Sequence, residues 1–382
     1  MQRLEEILRR NDKVTFVVTT RESLEFMNLH FQGHQPTRIR PLDEASSKSL
    51  VYELLPNAIT SDCSRITQIC GHVPLAIKLL CSLISEDNAQ PSHFLDDFWV
   101  SSTGSIAEML DNPDYPTDHR LQFLFDSSFQ RLSSKEKEAL VSLCILPETF
   151  SKEVAAAVLG EKRIFEAKKI LQSLRRKSLL DSRSTSETFT MHKLLQSFAR
   201  ERGEQRTCMN ETLLNSKVRL RAFYVSLFEK LNQQFLTGHS MSAFVSFYED
   251  EQNIVQSLIE GCLDSKIAEN AFNVLVKGEL FLVTLFCVEG HTFYKIYDSA
   301  IEAAKKLEAN KFYCLLLVSK ALSEVTWGAE GNTKHLLSKA KEIRESTPES
   351  SFSTFKEEIG KSMCYSASVS LLPRKSGAVL NA

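Results

Sequence analysis

Chain breakers are scarce in this sequence: its 382 residues include 13 glycines and 10 prolines. With leucine-rich amphipathic runs throughout, this scarcity predicts a largely helical protein. The sequence also contains no Gly-x-x-x-x-Gly-Lys-Ser/Thr loop, no glycine-rich dinucleotide loop and no Gly-x-Ser-x-Gly motif. Catalysis therefore has no candidate centre, and we expect a protein that is not an enzyme.

The sequence also lacks an excess of either charge, because it has 46 lysines and arginines and 48 aspartates and glutamates, which give a formal net charge of -2. Such a balance argues neither for nor against nucleic acid. The nine cysteines include no Cys-x-x-Cys pair and predict reduced core thiols. His30 and His34 share a helix face with no acid or cysteine, so no metal site is expected. The N-terminus has no signal-peptide core, and the most apolar window, 280–288, is shorter than the ~20 residues a membrane helix needs. We therefore expect a cytoplasmic protein without membrane contact.

Residues 13–21, K-V-T-F-V-V-T-T-R, form a short apolar run followed by polar residues. The run is typical of a strand buried on both faces of a parallel sheet. Open α/β sheets bind ligands at the carboxyl ends of their strands. Thr19, Thr20 and Arg21 are therefore placed to face a phosphate.

Helical periodicity begins after this strand. Asp43 is a predicted N-cap for a helix that ends at Pro56, and a second helix runs from about Ser61 to the Cys70-Gly71 turn. A third helix begins at Pro74, which suits a first helical position because its missing N–H has no partner there. Residues 88–116 are predicted to be a linker with one short helix at about 94–100.

Residues 121–190 follow the order of a winged helix. A helix ends near Leu132, a capping box spans 133–136, a short helix starts at Ser151, and a third helix covers 162–176 before a two-stranded wing. The third helix is rich in lysine and arginine, which is the charge pattern of a DNA-reading helix but also of a solvated face. We favour the solvated face. Its expected buried stripe consists of Ile164, Phe165, Ile170, Leu171 and Leu174.

The remainder is predicted to be a stack of helices, the first at 220–235 and a longer one at 267–288. Short polar turns separate helices with alanines at crowded positions such as Ala300, Ala303 and Ala340. Helix pairs of this size resemble tetratricopeptide repeats (TPRs), whose period is about 34 residues. An α-solenoid is the general prediction.

Three runs, taken together, resemble NB-ARC domains, the nucleotide switches of apoptosome scaffolds and plant disease-resistance receptors within the STAND branch of AAA-like NTPases. They are T-T-R at 19–21, C-G-H-V-P-L-A-I at 70–77 and M-H-K-L-L-Q-S-F-A-R at 191–200. The resemblance implies that ADP or ATP is the cofactor. It also implies that Arg21 reads the γ-phosphate, Pro74 packs on adenine and His192 reaches the β-phosphate of ADP, with Thr19, Thr20, Gly71 and Leu75 in support.

The chain departs from the NB-ARC pattern at two points. Lys193 stands where the third motif has an acid, and the Walker A loop is absent. Gly360-Lys361-Ser362 imitates that loop, but Phe355 stands where its first glycine belongs. Two interpretations stay open: the sequence is a fragment, or it is a degenerate regulator that no longer binds nucleotide.

The predicted fold is mainly α with a small α/β remnant. It comprises a partial P-loop NTPase (AAA-like) sheet at 1–42, a helical subdomain and linker at 43–116, a winged helix at 117–205 and a TPR-like α-solenoid at 206–382. The favoured function is a signalling switch or scaffold similar to immune or cell-death regulators, with protein partners on the repeats and self-association as a further expectation. A winged-helix DNA-binding transcription regulator and a plain helical adaptor are the alternatives.

Overall fold

The computed structural model describes residues 40–87, 90–101, 117–183, 188–205, 207–287, 290–327 and 332–346. Within these ranges the chain is mainly helical with one small sheet, so the predicted mainly α fold is confirmed. The strand predicted at 13–21, and with it Thr19, Thr20 and Arg21, lies outside the described residues. No described helix combines the length and the apolar character needed to cross a bilayer.

The first described unit is a helical subdomain whose ends are set by local capping. The Asp43 carboxylate accepts a hydrogen bond from the Ser46 amide at 2.7 Å, as predicted for an N-cap. Pro74 occupies the first turn of the third helix, also as predicted. The helices bury an apolar core that includes Val51, Ile66 and Leu79. They are α1 (Glu44–Leu54), α2 (Thr60–Ile69), α3 (Pro74–Glu86) and α4 (Pro91–Ser101).

A winged helix follows. The predicted capping box is present, because Ser133 Oγ accepts from the Glu136 amide while the Glu136 carboxylate accepts from the Ser133 amide. Ser151 caps the next helix through the Val154 amide. The elements are α5 (Thr117–Arg131), α6 (Ser134–Leu143), β1 (Thr149–Ser151), α7 (Lys152–Leu159), α8 (Ile164–Arg176), β2 (Asp181–Arg183), β3 (Thr188–Thr190) and α9 (Lys193–Gln205).

The sheet of this unit has three strands in the order β1-β3-β2, all antiparallel. The sequence predicts only the two strands of the wing. Strand β1 is three residues long and pairs with a partner about 40 positions later, placing Phe150 opposite Phe189. The two rings stack with centroids 6.4 Å apart. So short a strand has no periodicity of its own, and its pairing is what defines it.

The last unit is a stack of helices, as predicted for an α-solenoid. Helix α10 begins 13 residues before the predicted start at Leu220, and the single helix predicted at 267–288 is two helices. They separate at Gly278, where an added Cβ would lie 2.5 Å from Cε1 of Phe228. The helices are α10 (Thr207–Leu236), α11 (Ser240–Glu249), α12 (Glu251–Leu263), α13 (Ala268–Lys277), α14 (Glu279–Leu285), α15 (Gly290–Lys306), α16 (Asn310–Thr326) and α17 (Thr333–Ser346).

The stack has two layers. Helices α10, α12 and α15 pack side by side in one, while α13 packs against α16 in the other, and α17 lies on α16. Aromatic rings fill the space between α10, α11 and α14, where Phe281 lies 5.6 Å from Phe228 and 6.0 Å from Phe247 between ring centroids. All three side chains are fully buried. These three helices therefore share one apolar core.

Candidate functional site

The turn between α2 and α3 carries the first group of predicted site residues. Gly71 and His72 both have a left-handed backbone, with φ of +57° and +58°. This conformation suits glycine but is uncommon for histidine. The His72 ring is held by a 3.0 Å hydrogen bond between its Nδ1 and Ser47 Oγ. The tight turn presents Pro74 at the surface as the first residue of α3, while Leu75 is half-buried against the core.

His192 lies at the start of α9 and is exposed. Its Nδ1 accepts a hydrogen bond from the Leu194 amide at 3.2 Å, so the ring caps its own helix. An Nδ1 that accepts leaves the proton on Nε2. The neighbouring Met191 is fully buried and anchors the turn through its amide, which donates to the Glu148 carbonyl at 2.9 Å.

The structure brings some predicted site residues together and keeps others apart. Gly71, Pro74 and Leu75 share one turn. No hydrogen bond or ion pair links any of these three with His192 in the described part of the chain. Lys193, which stands where an acid was expected, forms an exposed 3.8 Å ion pair with Glu148 instead.

A polar cluster joins α3 to the winged helix, and sequence reasoning missed it. Lys177, at the end of α8, lies 3.6 Å from Glu86 of α3 and 3.2 Å from Glu136 of α6. Ser82 Oγ of α3 donates to the Arg176 carbonyl at 2.9 Å. We call Ser82, Glu86, Glu136 and Lys177 the Lys177 cluster. In the sequence Lys177 is one of many basic residues near α8, and nothing local marks it as a bridge.

Glu136 is the electrostatic centre of the Lys177 cluster. Burial alone would raise its pKa, but hydrogen bonds from Ser173, Ser133 and Lys177 outweigh burial and lower the pKa to about 2. The Ser173 hydroxyl lies 2.7 Å from one carboxylate oxygen, and Lys177 Nζ lies 3.2 Å from the other. The same carboxylate therefore closes the α6 capping box and holds the end of α8.

The exposed face of α8 differs from the prediction. Ile170, Leu171 and Leu174 are buried as expected, but Ile164 is 45% and Phe165 is 63% exposed. The prediction is wrong for these two because they precede the turn at which α8 meets the core. Lys169 lies over the Phe165 ring, 4.5 Å from its centroid.

Helix α10 connects the winged helix with the repeats. Its first half is held by winged-helix contacts: Met209 and Leu213 are buried, and Leu213 lies close to Gly203 of α9. Its second half belongs to the repeats, where Arg221 pairs with Glu260 at 2.8 Å and with Asp264 at 3.1 Å. A single continuous helix therefore spans two units.

The described residues contain no group of three histidine, cysteine, aspartate or glutamate side chains placed to hold a metal ion.

Comparison with known proteins bears on the middle of the chain. Residues 125–209 match the family model of the MalT winged helix domain. These residues run from within α5 to the start of α10, and they include β1 and His192. The predicted winged helix is thus supported by both sequence similarity and geometry.

One solved structure is similar over most of the chain. It is a Signal Transduction ATPase with Numerous Domains (STAND) protein with a tetratricopeptide repeat sensor from Pyrococcus horikoshii, 16% identical, with a TM-score of 0.39. The similarity covers 80% of this chain and 41% of that one, so the present chain spans less than half of that protein's length. No curated protein sequence matches this chain.

Proposed function

We propose that the protein is a signalling switch or scaffold in which a helical-repeat sensor is coupled to a MalT-type winged helix. The continuity of α10 carries this proposal. Leu213 and Arg219 contact the winged helix, while Asn215 and Arg221 contact the repeats. A partner that shifts the repeats would therefore move the winged helix as well.

The Lys177 cluster is the second support for a switch. It is polar, and further contacts join the helical subdomain to the winged helix: the Arg131–Asp87 and Lys78–Asp181 ion pairs and the packing of α3 against α5. Two-state devices can exchange polar contacts at lower cost than they rearrange a packed core. Opening would break the Ser82–Arg176 hydrogen bond and these ion pairs, and it would separate α3 from α5.

ADP or ATP is the proposed regulatory ligand, by resemblance to NB-ARC proteins. Pro74 would pack on the adenine, Arg21 would read the γ-phosphate, and Thr19, Thr20, Gly71 and Leu75 would support them. Two observations are compatible with this. Pro74 is exposed on a constrained turn, and the capping tautomer of His192 leaves Nε2–H to donate to a β-phosphate. We propose binding without hydrolysis, and hence a protein that is not an enzyme.

Partners are proposed to be other proteins bound along the repeats, with self-association as part of the signal. Six buried cysteines and one exposed cysteine in the described part of the chain are free thiols, which supports a cytoplasmic location. DNA binding through the winged helix is the second candidate. The observation in its favour is the exposed basic residues of α8 and its flanks, among them Lys162, Arg163 and Arg176.

The nucleotide proposal is tested by the melting temperature and the ADP affinity of the full chain. ADP at a hundredfold excess over Kd should stabilise the fold by ~2.7 kcal/mol. His192→Ala should weaken ADP binding about tenfold to hundredfold, since a hydrogen bond to a charged phosphate is lost. Affinity must be measured directly, because losing the helix cap also lowers stability, by about 1 kcal/mol.

His335→Ala is the matched control, because His335 is an exposed histidine on α17. It should leave ADP affinity unchanged. If neither ADP nor ATP shifts the melting temperature, the nucleotide role is wrong and the helical adaptor is the better description. If ADP binds wild type and His192→Ala equally well, the histidine is only a helix cap.

A further inference from the structure

A cavity of about 230 Å³ lies where α6, α7 and α8 of the winged helix face α10. Helix α10 contributes three polar side chains to it, Thr212, Asn215 and Arg219. The winged helix contributes the apolar residues Ala139, Leu159 and Ile170 together with the polar or charged residues Lys135, Glu138, Ser142 and Glu161. The lining is therefore mostly polar with a few apolar side chains, an arrangement suited to a small polar molecule.

Arg219 is the unusual member of this lining. Its Nη2 donates to Ser216 Oγ at 3.0 Å, but its Nε is sealed from solvent and has no acceptor. Its Nη1 lies against Gly160, so that an added Cβ there would be 2.8 Å away. Burial lowers the pKa of Arg219, and no carboxylate in the described ranges pairs with it. An unpaired, partly desolvated cation is costly, and an anion would relieve that cost.

The other charged groups around the cavity do not supply that anion. Lys135 and Glu161 form an ion pair with each other at 2.9 Å. Glu138 also lines the cavity, and it is exposed and makes no bond to Arg219. Of the two cations in the lining, Arg219 is therefore the one without an ion-pair partner among the described residues.

Asn215 adds a second donor of defined orientation. Its Oδ1 accepts from Lys266 Nζ at 3.4 Å, which leaves the amide NH₂ group for a ligand. The Arg219 fork and the Asn215 amide both project from α10, one helical turn apart, so they lie on the same face of that helix. Two oxygens of one carboxylate or phosphate could bind both groups at once.

We propose that this cavity binds the oxyanion group of a small molecule, a carboxylate or a phosphate. Arg219 and Asn215 hold the charged end, and Leu159 and Ile170 contact the rest. The site lies where α10 leaves the winged helix, so occupancy would tighten the contact between α7 and α10. This site is separate from the turns of Pro74 and His192, and its existence does not depend on nucleotide binding.

The test uses the full chain in sodium phosphate, sodium butyrate or sodium chloride at equal ionic strength. We expect phosphate, butyrate or both to raise the melting temperature above that in chloride, and the larger shift identifies the class of oxyanion. Arg219→Gln should weaken binding of that probe about tenfold or more. Arg163→Gln, a change at an exposed arginine next to α8, should keep the wild-type response.

Glu138→Gln keeps the proposal testable even if Arg219→Gln does not fold. It removes a rim carboxylate that repels an anion, so affinity should rise about twofold to threefold. Two results would overturn the proposal: no shift by either anion in wild type and Glu138→Gln, or a shift of unchanged size in folded Arg219→Gln.

Discussion

At the scale of single residues, Glu136 connects two helices, α6 and α8, through one carboxylate. It closes the capping box of α6 with Ser133, accepts from Ser173 of α8, and pairs with Lys177. Its side chain is 14% exposed, so these bonds are poorly screened by solvent. The capping part is local and would form in any helix with this sequence. The pairing with Lys177 exists only because α8 packs against α6.

The depressed pKa of Glu136 predicts a specific acid sensitivity. A carboxyl whose pKa is about 2 in the folded protein and 4.5 in the unfolded chain stabilises the fold above pH 4.5, and this stabilisation is lost as the pH falls toward 2. The contribution is on the order of 2–3 kcal/mol. Between pH 6 and pH 2.5, the free energy of unfolding measured with urea should fall by this amount in wild type and by much less in Glu136→Gln.

Glu138→Gln is the matched control for this acid experiment, because Glu138 is an exposed glutamate on the same helix. It should reproduce the wild-type pH profile. If Glu136→Gln also reproduces that profile, the carboxylate is not held as the hydrogen bonds imply.

His192 is a second residue whose surroundings change its interpretation. The NB-ARC resemblance leads us to propose it as a phosphate ligand, and in the structure it caps a helix through Nδ1. The two roles are compatible because they use different ring nitrogens.

At the scale of elements, helix α10 joins the winged helix to the repeats without a break. Its 30 residues follow α9 after one residue, and no loop separates the winged helix from the repeats. Contacts to the two units overlap along this helix, because Arg219 lies against Gly160 of the winged helix while Asn215 and Arg221 contact the repeats. The two units are expected to unfold together as long as this helix is continuous.

A proline at Val218 tests that coupling. Val218→Pro removes a helical hydrogen bond and clashes with the preceding turn, at a cost of ~3 kcal/mol or more. We expect calorimetry to show one transition in wild type and two in the variant, because the winged helix and the repeats then unfold separately. Val218→Ala keeps the helix and should keep a single transition. A single, merely lowered transition in Val218→Pro would show that packing beyond α10 couples the units.

At the scale of the whole molecule, charge does not choose between a scaffold and a DNA-binding protein. The net charge of -2 is close to neutral, and the basic face of α8 is a local feature. Exposed Ile164 and Phe165 beside that face add apolar surface, which suits a protein partner better than a phosphate backbone. These observations favour the scaffold.

Gel-shift assays with salt titration separate the two candidates. We expect no sequence-preferring DNA binding at physiological salt, and any weak binding should fall steeply as salt rises. Replacing Lys168 and Lys169 by glutamine should then lower the DNA affinity no more than replacing Lys305 and Lys306, which are exposed on α15. Sequence-preferring binding lost only with Lys168 and Lys169 would favour the DNA-binding alternative.

Local chemistry was enough to predict the helical character and several helix ends. Asp43, Ser133 and Ser151 each cap through an amide three residues later, so a short stretch of sequence contains both partners. The same local signals predicted the order of three helices followed by a wing, and this order agrees with the match to the MalT winged helix domain. The early start of α10 could not be predicted from the sequence, because packing against the winged helix, and not apolar periodicity, sets where this helix begins.

Tertiary structure alone decided the features on which the proposals depend. Strand β1 exists through its pairing with β3, and Lys177 becomes a bridge because α3 and α6 both reach it. Arg219 lacks an ion-pair partner among the described residues because α7 and α10 enclose it, which no local pattern indicates. Capping depends on neighbours within one turn, and the sequence therefore determines it. Pairing and burial depend on residues far along the chain, and only the folded arrangement determines them.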